Sequence, residues 1–215
     1  TRKSNYDGIV LIDFMTLEQY IYQSSYTTNY FKINNNLDIR YFHFIPRNKY
    51  ILRVFFKFFR SFSRFHKLYK SFGCNFGLIN VFDKNTIGIA KSLKFSSKEE
   101  LVNFSLEGIQ IGDLIYDSYL RGSKIPTVDL DDERLLWIID NAISIFYSTK
   151  NYLKKHNVKK VLTSHGVYVN YGIIVRVAVH SDVDVYQFDL NKAMHKYSRN
   201  HYSMLRRHDN YQNEF

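Results

Sequence analysis

Residues 158–176 read Val-Lys-Lys-Val-Leu-Thr-Ser-His-Gly-Val-Tyr-Val-Asn-Tyr-Gly-Ile-Ile-Val-Arg, and no other stretch restricts the fold as tightly. Val158, Val161 and Leu162 suit a short buried strand, Thr163 to Gly166 a tight turn, and Tyr171 to His180 a covered helix. Strand, loop and helix in that order belong to an open α/β sheet, with the loop at the carboxyl end of the strand. Ligands bind there, and the next helix offers unpaired N–H groups to an anion. The spacing therefore sets His165 at the mouth of a crevice.

The amino-terminal part follows the same plan. Gly8-Ile-Val-Leu-Ile-Asp-Phe14 is a near-continuous apolar run suited to an interior parallel strand. Thr16 is placed to cap a helix running to about Phe31, Asn34 to Asn36 form a turn, and Leu37 to Ile45 make a second strand ended by Pro46. The expected class is α/β, a Rossmann-like, doubly wound, mostly parallel sheet flanked by helices. With 215 residues and 45% hydrophobic content one core is expected, over residues 1–190. Residues 191–215, with His195, His201 and His208 at no metal-ligand spacing, read as a polar basic tail or linker. A final short strand is expected at Val183 to Tyr186.

Thirty basic against twenty acidic residues favour an anionic partner: a nucleotide sugar, a nucleic acid or an acidic membrane surface. Cys74 is the only cysteine, which excludes a disulfide framework and a cysteine-based zinc site. No apolar run is long enough to span a bilayer, so a location in the cytoplasm, free or peripheral at the inner face of the cell membrane, is expected. No cofactor and no metal are expected.

Between Arg47 and Phe72, phenylalanines at 55, 56, 58, 59, 62 and 65 interleave with Arg53, Lys57, Arg60, Arg64, Lys67 and Lys70. Three roles fit: a packing helix with a solvated basic face, a membrane-binding helix using Arg53, Lys57, Arg60 and Arg64, or a base-stacking surface. The glycines from Gly73 to Gly88 are too loosely spaced for a phosphate fingerprint. Ser96 and Glu99 read as a capping box for a helix to about Ser105. Asp129 to Glu133 open a long helix whose apolar stripe runs to Lys154-Lys155, with Trp137 as packing or as a sugar platform.

Glu107-Gly-Ile-Gln-Ile-Gly-Asp-Leu-Ile-Tyr-Asp-Ser-Tyr-Leu-Arg121 is the second informative stretch. A helix from Asp113 would align Asp113, Asp117 and Arg121 along one ridge. That ridge is either a solvated salt-bridge ladder or a base beside a guanidinium that binds an anion. Gly108 and Gly112 beside it call for a close approach of backbone or ligand.

Together, Gly108 to Arg121 and Leu162 to Arg176 resemble the amino-terminal domain of bacterial capsule and lipopolysaccharide biosynthesis proteins of the two-domain GT-B glycosyltransferase type. The resemblance spans roughly Gly8 to Tyr186 and is specific in those two motifs. It implies the acceptor side of a cleft, with a nucleotide-sugar donor held by a carboxyl-terminal domain in cis or in trans and a glycan as acceptor. His165, with Asp113 and Asp117 as rivals, is then the candidate base. Gly112, Tyr116, Arg121, Gly166, Tyr168, Tyr171 and Arg176 are the candidate substrate contacts. His165 as a plain loop residue, and Arg176 as an internal ion-pair partner of Asp113 or Asp117, stay open. The alternative from another class is a non-catalytic module that docks on anionic membrane or polysaccharide through the basic Phe-rich helix; nucleic acid is not expected.

Overall fold

The computed structural model describes residues 6–44, 64–80, 86–123, 125–188 and 195–199. The Phe-rich stretch with Arg53, Lys57 and Arg60 lies outside them, as do His201 and His208. Strand β1 (Gly8–Asp13) is buried along its whole length, as a run with no polar residue before Asp13 requires. It leads through helix α1 (Glu18–Asn35) to the parallel strand β2 (Leu37–Phe44). Thr16 does not cap α1: Leu17 holds the cap position and makes no side-chain bond. A short helix α2 (64–71) precedes strand β3 (Asn75–Asn80), which the loose glycine pattern had hidden.

The chain then crosses to the other side of the sheet. Helix α3 (Thr86–Ser92) and helix α4 (Lys98–Val102) are followed by a hairpin of β4 (Ser105–Leu106) and β5 (Ile109–Gln110). The cap of α4 is Ser97, accepting from the Glu100 N–H, so the capping box sits one residue later than the pattern indicated. Glu107 and Gly108 join the hairpin with φ of 50° and 77°, the two-residue turn in which both positions are left-handed. Gly108 serves that turn. Helix α5 (Gly112–Ser123) and the long helix α6 (Glu133–Lys155), capped by Asp132 through the Arg134 N–H, return the chain to the sheet.

Strand β6 (Val158–Thr163) pairs parallel to β1, a π-helical turn (Tyr168–Gly172) runs into helix α7 (Ile173–His180), and β7 (Asp184–Gln187) pairs parallel to β6. A last strand, β8 (His195–Lys196), adds to the edge antiparallel to β7. His195 and Lys196, within the segment expected as a tail, thus contribute to the sheet. Sheet order is β3-β2-β1-β6-β7-β8, a mostly parallel, Rossmann-like arrangement flanked by helices. One apolar cluster joins the sheet to α1 and α2, and the larger one joins its opposite face to α5, α6 and α7. Consecutive crossovers leave in opposite directions from the neighbouring strands β1 and β6. That pair is the switch point of the sheet, and a crevice opens beyond its carboxyl ends.

Candidate active site

Two strand ends build the site. β1 ends in Asp13, which is 1% exposed, and β6 ends in Thr163, from which Ser164 and His165 continue. One oxygen of Asp13, Oδ2, accepts from the Ser164 N–H at 2.7 Å, from the Ser164 hydroxyl at 2.7 Å and from the Thr163 hydroxyl at 3.2 Å. Its other oxygen is buried and has no hydrogen-bond partner among the described residues. Burial raises the carboxyl to about 6, and the bonds from Ser164 and Thr163 pull against that rise. Tyr69 of α2 holds the chain just beyond: its hydroxyl accepts from the Met15 N–H at 2.9 Å and donates to the Asp13 carbonyl.

The Ser164 hydroxyl also lies 2.7 Å from Nδ1 of His165. With its own proton directed to Asp13, Ser164 accepts from Nδ1–H, and the imidazole is left with a lone pair on Nε2. Asp13, Ser164 and His165 form one hydrogen-bond chain from a buried acid to a half-buried imidazole. Burial and, secondarily, the charge of Arg121 lower the His165 pKa, so the ring is neutral at pH 7. The Tyr171 ring stacks on it at 4.1 Å, and Tyr168 stands edge-on at 6.3 Å.

Tyr168 begins the π turn with φ of 60°, a conformation unfavourable for a tyrosine. The Val169 N–H donates to Ser118 of α5 at 2.8 Å, and the Arg121 guanidinium lies over the Tyr168 ring at 4.4 Å. The two motifs therefore do meet. At the rim they meet through Ser118 and Arg121, and beneath it through Asp113 and Arg176. Asp113 is buried, and both its oxygens accept from the guanidinium of Arg176, which also donates to the Gln110 carbonyl at 2.6 Å. The pairing of Asp113 with Arg176 is internal, and the expected ridge of Asp113, Asp117 and Arg121 is not a ladder. Asp117 is half-buried, and its pKa is raised by burial and by the nearby Asp113 charge, with Arg176 opposing.

A shallow pocket open to solvent lies beside this chain of bonds, lined by Asp13, Phe14, Phe42, His43, Phe44, Asn170 and Tyr171. His43 is pushed down to about 4 by burial and is neutral. Phe14, Phe42 and Phe44 supply apolar walls, and Tyr171 belongs both to the pocket and to the stack on His165. No protein-family model, well-characterised protein or solved structure matches this chain.

The other candidate residues among those described have neighbours of their own. A side chain on Gly112 would strike the carbonyl of Leu101, so backbone, and not a ligand, demands that glycine. A Cβ on Gly166 would lie 2.5 Å from the Tyr197 hydroxyl. Tyr116 lies under the Lys98 ammonium at 5.0 Å. Arg64 makes an exposed ion pair with Glu18 at 3.6 Å. Asp13 and Ser164 were not singled out from the sequence, although each left a trace there: a carboxylate closing an apolar strand, and a hydroxyl next to the histidine. Among the described residues no group of three or more His, Cys, Asp or Glu is placed to hold a metal ion.

Proposed function

We propose that this chain is the acceptor-side domain of a GT-B glycosyltransferase that builds a bacterial surface polysaccharide at the cytoplasmic face of the membrane, with His165 as its base. The single observation that carries the proposal is the Asp13–Ser164–His165 bond chain at the switch point of the sheet. The likeness of its two motifs to capsule and lipopolysaccharide biosynthesis proteins points to the same chemistry. In sugar transfer an acceptor hydroxyl attacks the anomeric carbon of a nucleotide sugar. The new C–O bond forms as the bond to phosphate breaks, the nucleotide leaves as an anion, and the hydroxyl proton goes to Nε2 of His165.

The imidazolium so formed donates through Nδ1 to Ser164, which donates to Asp13, so a buried acid stabilises the positive charge at the moment it appears. Arg121 at the rim would favour an anionic group on the substrate. The aromatic and amide lining beside Tyr171 suits the apolar face and hydroxyls of a sugar ring. Donor binding falls to a carboxyl-terminal domain, in cis or in trans. Asp113 has no part in proton transfer under this scheme, because Arg176 occupies both its oxygens.

The test assays the protein together with its donor-binding domain, following nucleotide release from a panel of nucleotide sugars. His165→Ala is expected to lower kcat by about 10²- to 10⁴-fold, the range for a lost general base. Wild-type turnover in His165→Ala, or a loss confined to Asp117→Asn, would overturn the assignment.

A further inference from the structure

We propose that the outer face of α1 and α2 docks on an anionic phospholipid surface. α1 turns Ile21, Ser24, Thr28 and Phe31 toward the sheet. Its opposite side carries Tyr22, Tyr26, Tyr30 and Ile33, each between 60% and 86% exposed. Steps of four, four and three place these side chains in one line along the helix. A helix that only faces water carries charged residues there, yet α1 has just Glu18 and Lys32 in eighteen residues.

α2 runs alongside. Arg64 at its start pairs with Glu18 at the start of α1, and at the far ends the Lys32 ammonium comes up against Gly73. The exposed positions of α2 include Arg64, Lys67, Leu68 and Lys70. An aromatic line is thereby flanked by a row of cations on the same layer. Tyrosine rings enter the headgroup boundary while their hydroxyls stay wet, and lysine and arginine meet lipid phosphates. Among the described residues no helix is long and apolar enough to cross a bilayer, so the contact is with its surface. Pairing of α1 with α1 of a second copy is less favoured, because it would cover the tyrosine line but give the cation row no anionic partner. None of these residues belongs to the Asp13–His165 chain, so this proposal stands or falls apart from the sugar-transfer assignment.

The experiment floats the full chain with vesicles of equal parts phosphatidylcholine and phosphatidylglycerol, and with phosphatidylcholine alone, at low salt. The wild type is expected to float with the anionic vesicles only. Replacing Arg64, Lys67 and Lys70 together by Ser should lower partitioning about 100-fold, roughly fivefold for each cation. The triple variant Tyr22→Ser/Tyr26→Ser/Tyr30→Ser should lower it at least about tenfold. Leu136→Ser, which removes an exposed apolar residue from α6, should change nothing. All these positions are exposed, and circular dichroism checks that each variant keeps its fold. No flotation of the wild type, equal flotation of either triple variant, or an equal loss in Leu136→Ser would overturn the proposal. Self-association that vanishes in the tyrosine variant without any vesicle binding would assign the face to a second copy instead.

Discussion

Asp13 and Asp113 are both buried carboxylates near the ends of elements, and they are held in opposite ways. Asp113 is clasped by a guanidinium, with both oxygens filled by Arg176. Among the described residues Asp13 has no cation on it: a backbone N–H and two hydroxyls satisfy one oxygen, the other has no partner there, and the pKa climbs to about 6. Full pairing takes a carboxylate out of chemistry and makes it part of the scaffold. Incomplete pairing by neutral donors leaves a group that costs stability and whose proton is exchangeable near neutral pH. Such perturbed groups in a crevice mark working sites more often than fully paired ones do.

The largest effect that would break this contrast lies on the paired side. Arg176→Ala leaves Asp113 buried with no cation, and a broken buried pair costs about 3–5 kcal/mol. A comparable cost is not expected when both partners are replaced by apolar residues of similar size, as in Asp113→Leu with Arg176→Met. Urea unfolding of the single and double variants checks the difference. Equal losses in both would mean that the pair does not act as a unit.

On the unpaired side the sign reverses. Asp13 holds its proton more tightly in the folded chain, at about 6, than at the ordinary 3.8 of the unfolded one. Between those values the folded state binds more protons, so its stability falls as pH rises through that interval. About two pKa units correspond to about 3 kcal/mol, lost in full above the folded pKa. Asp13→Asn keeps an acceptor for the Ser164 N–H and never ionises. It should therefore exceed the wild type by about 3 kcal/mol at pH 8, with the advantage fading as the pH falls from about 6 to about 4. The comparison is made with His165→Ala in both proteins, so that the titration of His165, whose lowered pKa gives stability that rises with pH and which is coupled to Asp13 through Ser164, does not enter the difference. Unfolding free energies at the two pH values decide it, and a pH-independent difference would contradict the placement of Asp13.

The same contrast explains what the sequence disclosed. β1, β2, β6 and α5 to α7 were legible because their apolar periodicity is strong and few turns compete. The loop before His165 was legible as a crevice from strand, turn and helix order alone. β3 escaped notice because Asn75, Gly77 and Asn80 read as loop chemistry, and only its pairing beside β2 makes it a strand. Asp113 looked catalytic because a helical ridge can be drawn from spacing, whereas its true partner Arg176 lies 63 residues on and is brought in by the packing of α7. Asp13 was passed over for the reverse reason: its partners lie 150 and 151 residues away, and no local pattern connects them.

The smallest expected effect tests whether neutral donors alone govern Asp13. The Thr163 hydroxyl is fully buried, and its single proton is shared between Asp13 Oδ2 at 3.2 Å and the His165 carbonyl at 2.9 Å. Thr163→Val keeps the side-chain volume and removes both bonds, at a cost of about 1 kcal/mol. Because that hydroxyl opposes the effect of burial, its loss should lift the Asp13 pKa above its present value near 6. The part of the cost that belongs to the ionised carboxylate should then shrink as the pH falls through about 6, because below that value Asp13 is protonated in the folded wild type and the folded variant alike. The part that belongs to the His165 carbonyl should persist at every pH. Titration of the Asp13 side-chain carbon by NMR, beside unfolding at both pH values, separates the two. A carboxyl whose pKa did not move would mean that Ser164 alone sets it, and the hydrogen-bond chain to His165 would then begin at a single residue.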